Sequence, residues 1–137
     1  MSRRLGALRP IGVIRSRLKT RAGAPRQGDE GAPDAWLEIE PAFEAGLAGI
    51  AAGDALLVLT WLDRARRERL AVVPRGDRRL GLSGVFATRS PDRPNPIGLH
   101  RVTVRRRAGR RLRVGPIEAL DGTPVLDLKP VLGPRDR

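Results

Sequence analysis

The sequence predicts a mostly β fold: a small single-domain β-barrel with little helix, spanning residues 1–137. Three observations lead there. Six to eight short apolar segments are separated by glycine- and proline-bearing turns. No strand pattern is followed by a long helical pattern, and no internal repeat occurs. No GxGxxG follows a strand and no GxxxxGK[ST] is present, so the architecture reads as non-Rossmann and without a P-loop.

The elements follow in order. RPIGVIRS (Arg9 to Ser16) reads as a first strand. Residues 18–34 are polar, basic and glycine-bearing, a long loop with the character of a mobile arm. AWLEIE sets Leu37 and Ile39 against Trp36, Glu38 and Glu40, the two-residue alternation of a strand. PAFEAGLAGI offers a turn or two of helix, with Pro41 at its start and Phe43, Leu47 and Ile50 at near-helical spacing. GDALLVLTWL then gives a continuous apolar run after a Gly-Asp turn, the pattern of a buried strand. RRERLAVVP and the basic connector RGDRRLGLSG lead to GVFATR.

LHRVTVRRR places His100, Val102 and Val104 on one strand face and Arg101, Thr103 and Arg105 on the other. After an Ala-Gly turn, Leu112 and Val114 alternate with Arg111 and Arg113. This pair is the clearest hairpin in the sequence. DGTPVLDLKPVLG closes the barrel with an Asp-Gly turn and an apolar strand, leaving 133–137 as a short tail.

Composition narrows the function classes. Hydrophobic residues are 40% of 137, enough for a real core, and a domain of this size buries roughly two-thirds of its extended surface. Cysteine is absent, which excludes disulfides, thiolate metal sites and cysteine nucleophiles and suits a cytoplasmic protein. His100 is the single histidine, so no histidine-based metal cluster forms within one chain, and a Ser/His nucleophile scheme is weakened. It reads as a structural or rim residue. No apolar run approaches the ~20 residues of a membrane span, and the basic N-terminus lacks the apolar core of a signal peptide. No membrane and no metal are expected.

The formal net charge is +12, and only Lys19 and Lys129 are lysines. Arginine's planar fork matches phosphate and stacks on bases, so the balance favours nucleic acid, against the plain alternative of a well-solvated surface.

One loop stands apart. ATRSPDRPNPIGLH (Ala87 to His100) carries Pro91, Pro94 and Pro96, each fixing its own φ and restricting Ser90, Arg93 and Asn95 before it. Polar groups on so stiff a backbone bind with little ordering cost, and Gly98 permits close approach. The chemistry alone divides evenly between a ligand cradle and a rigid turn. DGTPVLDLKP repeats the grammar: Asp127 and Lys129 lie on one side of a strand and Leu126 and Leu128 on the other. Asp127 either lines a pocket mouth or merely balances surface arginine. In PRQ, Arg26 and Gln27 belong to a solvated loop or to an arm that orders around a ligand.

Together GVFATRSPDRPNPIGLHRVTV, LDGTPVLDLKP, IGVIRS and PRQ resemble the TsaA-like family, whose characterised bacterial members are tRNA adenine-37 N6-methyltransferases. The resemblance runs from about Pro10 to Pro130 and is strongest from Gly84 to Leu99. It implies a barrel that binds S-adenosylmethionine without a Rossmann domain. It also implies a homodimer with cofactor sites near the subunit boundary. The implied substrate is the anticodon stem-loop of tRNA, at N6 of threonylcarbamoyladenosine-37.

By the same resemblance, Ala87, Thr88, Arg89, Ser90, Arg93, Asn95, Ile97, Gly98 and Leu99 are expected to hold the cofactor, with Phe86 packing on it. Asp121, Thr123, Val125 and Leu126 form a second pocket wall. Asp127 is the candidate catalytic group, aligning or removing the N6 proton. Arg26, Gln27, Arg75, Arg78, Arg79 and Asp92 are expected to meet substrate, and Arg105 to Arg107 a phosphate patch.

The chain departs from the family pattern in places. Asp92 stands where the family often has an aromatic residue. Val131 stands where KPY is common, and TWLDR lacks a histidine often found there. Aromatic residues are only 3% of the chain, so base stacking falls to Trp61 or Phe86, either of which also suits the core. Many members carry a further C-terminal domain, whereas this sequence ends about seven residues past LDLKP. Two rival readings therefore stand beside the first: methylation of another RNA or small-molecule acceptor, and a non-catalytic basic RNA-binding module.

Overall fold

The computed structural model describes residues 4–25, 31–73 and 81–133. The expected contacts Arg26, Gln27, Arg75, Arg78 and Arg79 lie outside the described residues, as does the tail 134–137.

Eight strands are present among the described residues: β1 Gly12–Arg15, β2 Ala35–Ile39, β3 Ala55–Trp61, β4 Ala71–Val72, β5 Ser83–Gly84, β6 Ile97–Ala108, β7 Arg111–Gly115 and β8 Pro124–Pro130. Six of them close a barrel in the order β1-β2-β7-β6-β3-β8, every pair antiparallel, with β8 returning to β1. Closure removes the free sheet edges that would otherwise invite pairing with other chains. The pair β4-β5 forms a separate ribbon beside the barrel.

The two-residue alternation puts one apolar set inside. Ile14, Leu37, Ile39, Val58, Leu112 and Val114 are essentially inaccessible and form the core with Leu56, Val102, Val104 and Val125. β2 and the β6–β7 hairpin follow the alternation read from the sequence. β3 is the expected buried strand, with one face turned fully to the core. Leu56, Val58 and Thr60 point in, while Leu57 and Leu59 are only partly covered, because a barrel stave has one interior face. PAFEAGL is a 3-10 helix, Pro41–Leu47, whose Leu47 caps the core while Phe43 and Ile50 pack at its margin. The expected loop at 18–34 contains a 3-10 turn, Arg21–Gly23.

β8 carries the most consequential irregularity. Leu59 pairs with Asp127 but Thr60 pairs with Val125, so Leu126 is an extra residue on β8. Side-chain parity flips there: Val125 is inside, Asp127 outside, and Leu128 again faces the core. Among the described residues no helix is long and apolar enough to cross a membrane.

Candidate functional site

A cleft of about 1350 Å³ opens at one end of the barrel. One wall is the proline-rich loop with its flanks, Phe86 to Asn95 and Ile97 to His100. The others are Arg21 to Pro25, Leu62 to Ala65, Val72–Val73, and Glu118 to Leu120 with Thr123. The resemblance-implied residues Phe86, Ala87, Thr88, Arg89, Ser90, Arg93, Asn95, Ile97, Gly98, Leu99 and Thr123 are thus brought together, with Asp92 beside them.

The loop is held by its own polar groups. The 3-10 turn Val85–Ala87 ends where the Thr88 amide and hydroxyl both donate to the Val85 carbonyl, at 3.1 and 3.0 Å. The Ser90 amide donates to Thr88 Oγ1 and the Asp92 amide to Ser90 Oγ. Arg93 Nη1 donates to the carbonyls of Thr88 and Ser90, at 2.9 and 3.0 Å, bracing the loop from within. These side-chain bonds satisfy a backbone that three prolines keep out of regular ladders.

A second segment, missed in the sequence, clamps the loop from outside. Arg67 lies over the Trp61 ring at 5.1 Å and donates to the Pro94 carbonyl and Asn95 Oδ1. Arg64 donates to the carbonyls of Lys19 and Asp121. Asp92, the residue that departs from the family pattern, accepts from the Arg66 amide at 2.8 Å and pairs with Arg21 at 3.1 Å. Partial burial opposes its ionisation, but the Arg21 guanidinium and the Arg66 amide outweigh it and hold the carboxyl below the usual range. An arginine and an acid 71 residues apart give no local signal, so only the fold shows that they meet.

The cleft floor is a buried polar chain. Thr60, His100 and Thr123 are the buried polar side chains among the described residues. His100 Nε2 lies 2.7 Å from Thr60 Oγ1, and Nδ1 lies 2.5 Å from Glu118 Oε1. A carboxylate only accepts, so Nδ1–H donates to Glu118, and in neutral imidazole Nε2 then accepts the Thr60 hydroxyl. Gly98 makes room for this chain: a Cβ there would fall 2.3 Å from Thr60 Oγ1 and 2.7 Å from His100 Nε2. Glu118 had no motif to mark it.

Of the expected second wall only Thr123 lines this cleft. Asp121 instead accepts the Ser16 amide at 2.9 Å and pairs with Lys19 at 3.0 Å, tying the Asp-Gly turn to the end of β1. Those bonds lower its pKa, the Ser16 amide contributing most. Val125 is core, and Leu126 is the bulge residue. Asp127 does not reach the pocket mouth of its own chain. The bulge turns it outward, its side chain is 55% exposed, and its nearest polar groups are the Leu128 amide and Lys129.

The arginines expected to bind phosphate divide as well. Arg107 caps the 3-10 helix through the Leu47 carbonyl, and Arg105 sits 3.6 Å from Asp34. A second, smaller cleft of about 520 Å³ lies along β1, β2 and β7, lined by Arg15, Arg17, Lys19, Trp36 and Arg113 among others.

A family model described as "tRNA-methyltransferase O N-terminal domain" matches residues 13–137. The chain belongs to this family. Among relatives of the tRNA-methyltransferase O N-terminal domain, a probable S-adenosyl-L-methionine-binding protein of Archaeoglobus fulgidus is 53% identical over 90% of this chain and 33% of its own. A probable S-adenosyl-L-methionine-binding protein of Methanothermobacter thermautotrophicus is 45% identical over 90% of this chain and 88% of its own. The crystal structure of TrmO from Pseudomonas aeruginosa superposes with a TM-score of 0.75 at 34% identity, covering 94% of this chain and 57% of that one. A further TrmO crystal structure gives a TM-score of 0.77 at 33% identity over 99% and 59% of the two chains. The chain thus spans a third of the Archaeoglobus relative and under two-thirds of the solved TrmO chains.

Proposed function

We propose that this protein is an S-adenosylmethionine-dependent methyltransferase that modifies N6 of threonylcarbamoyladenosine-37 in tRNA and works as a homodimer. The observation that carries the proposal is the braced loop: the residues of the proline-rich segment that the resemblance marks for the cofactor form one wall of the larger of the two clefts. Relatives described as S-adenosylmethionine-binding proteins support the cofactor, and the family's description supports tRNA as substrate.

The cleft fits such a cofactor chemically. Phe86 is 79% exposed at the cleft wall and offers an aromatic face to an adenine ring. Leu62, Ile97, Leu99 and Leu120 line an apolar portion, and Ser90, Arg93 and Asn95 a polar one. Arg93 Nη1 serves the loop, which leaves Nε and Nη2 for the carboxylate of the methionine part. When bound, S-adenosylmethionine supplies an electrophilic methyl group. The chain's contribution is orientation, because a loop fixed before binding holds its polar groups in place for the reaction. Proton removal is not assigned to Asp127, which faces away from the cleft of its own chain.

The net charge of +12 suits an anticodon stem-loop, and binding that releases counterions weakens with salt. Nucleoside analysis of bulk tRNA tests the proposal. Deleting the gene is expected to remove N6-methylated threonylcarbamoyladenosine, and its re-expression to restore it. An unchanged nucleoside profile would point to another acceptor. Failure of the pure protein to bind S-adenosylmethionine would leave only the binding-module reading.

A further inference from the structure

The outer face of β1, β2 and β7 carries a basic groove that the proposed reaction does not use. Antiparallel pairing sets Arg15, Trp36 and Arg113 in one row across the three strands. All three line the smaller cleft, together with Arg17 and Lys19. Neighbouring strands lie about 4.8 Å apart, so the two arginines start about 10 Å apart with the indole between them. Arg111 lies 4.4 Å over the Trp36 ring and does not line the cleft, which leaves the ring's other face to it. Two acids of this face are each shared by two arginines: Glu38 by Arg15 and Arg111, Asp34 by Arg105 and Arg113. In each pair the nearest arginine nitrogen is Nε, and no terminal nitrogen of these four makes a hydrogen bond among the described residues. Their outer forks therefore remain available to an anion.

We infer that this groove is a second RNA-contact site, in which an unpaired base stacks on Trp36 while Arg15 and Arg113 take the phosphates on either side. The inference rests on the tRNA reading above and extends it beyond the cofactor cleft. An aromatic ring flanked by guanidiniums is the combination that holds single-stranded RNA: the ring takes a base of any identity, and the forks take phosphate oxygens. An acidic peptide engages the arginines but leaves the indole unused. The groove also meets the cofactor cleft. Lys19 and Asp121 line the groove, and Arg64, from the wall of the larger cleft, donates to both their carbonyls. One strand can therefore place its target base in the larger cleft and a nearby nucleotide, across that ridge, on Trp36.

Fluorescence anisotropy with a labelled anticodon stem-loop RNA, over a range of salt, tests the inference on the full chain, with calorimetric titration of S-adenosylmethionine alongside. Trp36→Leu should weaken RNA binding about 10-fold, and Trp36→Phe, which keeps a ring, should retain most of the affinity. Arg15→Gln/Arg113→Gln should weaken binding about 10-fold and lower the salt slope by about two, one for each lost phosphate contact. All of these variants should bind S-adenosylmethionine as the wild type does. Arg4→Gln/Arg101→Gln removes the same charge from exposed arginines outside both clefts and should cost far less RNA affinity. The arginine pair, being on exposed side chains, carries the test should Trp36→Leu disturb the fold. Groove variants that bind RNA like the wild type, or a control that loses as much as the arginine pair, overturn the inference and leave the tRNA reading standing. A loss confined to the arginine pair, with polyglutamate of matched charge displacing the RNA, assigns the groove to an acidic protein and overturns it as well. No RNA binding by the wild type overturns both the inference and the tRNA reading.

Discussion

Two proline-punctuated segments, Thr88 to Leu99 and Asp121 to Pro130, share a grammar of turn residue, proline and apolar partner, yet they fold into different things. In the first, the prolines keep the chain out of the sheet, and Thr88, Ser90 and Arg93 supply the missing backbone partners. It becomes a cleft wall. In the second, Gly122 takes a positive φ of 84° to make the turn, and Pro124 merely opens a strand. That segment becomes a stave, with its acids directed to the end of β1 or to solvent. The lesson is that proline stiffens a loop only where no neighbouring strand claims its backbone.

Substitutions break or sharpen this contrast, and the largest effect is expected at Gly98. A methyl group there meets Thr60 and His100, both buried, so Gly98→Ala should cost about 2–4 kcal/mol in urea unfolding through overpacking and a broken buried hydrogen bond. Gly6→Ala, with nothing within 4 Å, should stay within about 0.5 kcal/mol and serves as the control. Asp121→Ala removes the acceptor of the Ser16 amide and the partner of Lys19, and should destabilise by about 1–3 kcal/mol.

Asp92→Asn comes next, at about 1–2 kcal/mol near neutral pH. Its sign with pH is fixed by the lowered pKa of the folded carboxyl. The stabilisation is present above the unfolded value of about 3.9 and is lost as pH falls through the lower folded value. The gap between wild type and variant should therefore close in acid, and a gap that widened there would contradict the Arg21 pairing. The smallest effect is expected at Asp127→Asn: within about 0.5 kcal/mol in unfolding, and no change in cofactor affinity. A large loss of affinity there would show that a second copy brings Asp127 to the cleft.

Much of the barrel was legible because alternation has a mechanism. Leu37 and Ile39 in β2, Val102 and Val104 in β6, and Leu112 and Val114 in β7 all face inward as their spacing requires. The bulge at Leu126 was not legible, since it is defined by pairing with Leu59 and Thr60 on a strand far away in sequence. One such residue reversed the side of Asp127. The first half of the cleft was legible from local stiffness. Its outer clamp was not, because Arg21, Arg64 and Arg67 look like the other arginines of a basic chain until the fold places them against Asp92, Asp121 and Pro94. Glu118 was invisible for the same reason: it sits between β7 and β8 in no motif, and its partner His100 lies 18 residues back on β6.

The central claim is that the cleft walled by Phe86 to His100 takes S-adenosylmethionine. Amide NMR of the labelled protein, titrated with S-adenosylmethionine, tests it most directly. The account predicts shifts concentrated at residues 86–100 and 118–123, with β2, β7 and Asp127 unmoved. Shifts centred on Arg15, Trp36 and Arg113 in the smaller cleft, or no shifts at all, would contradict it.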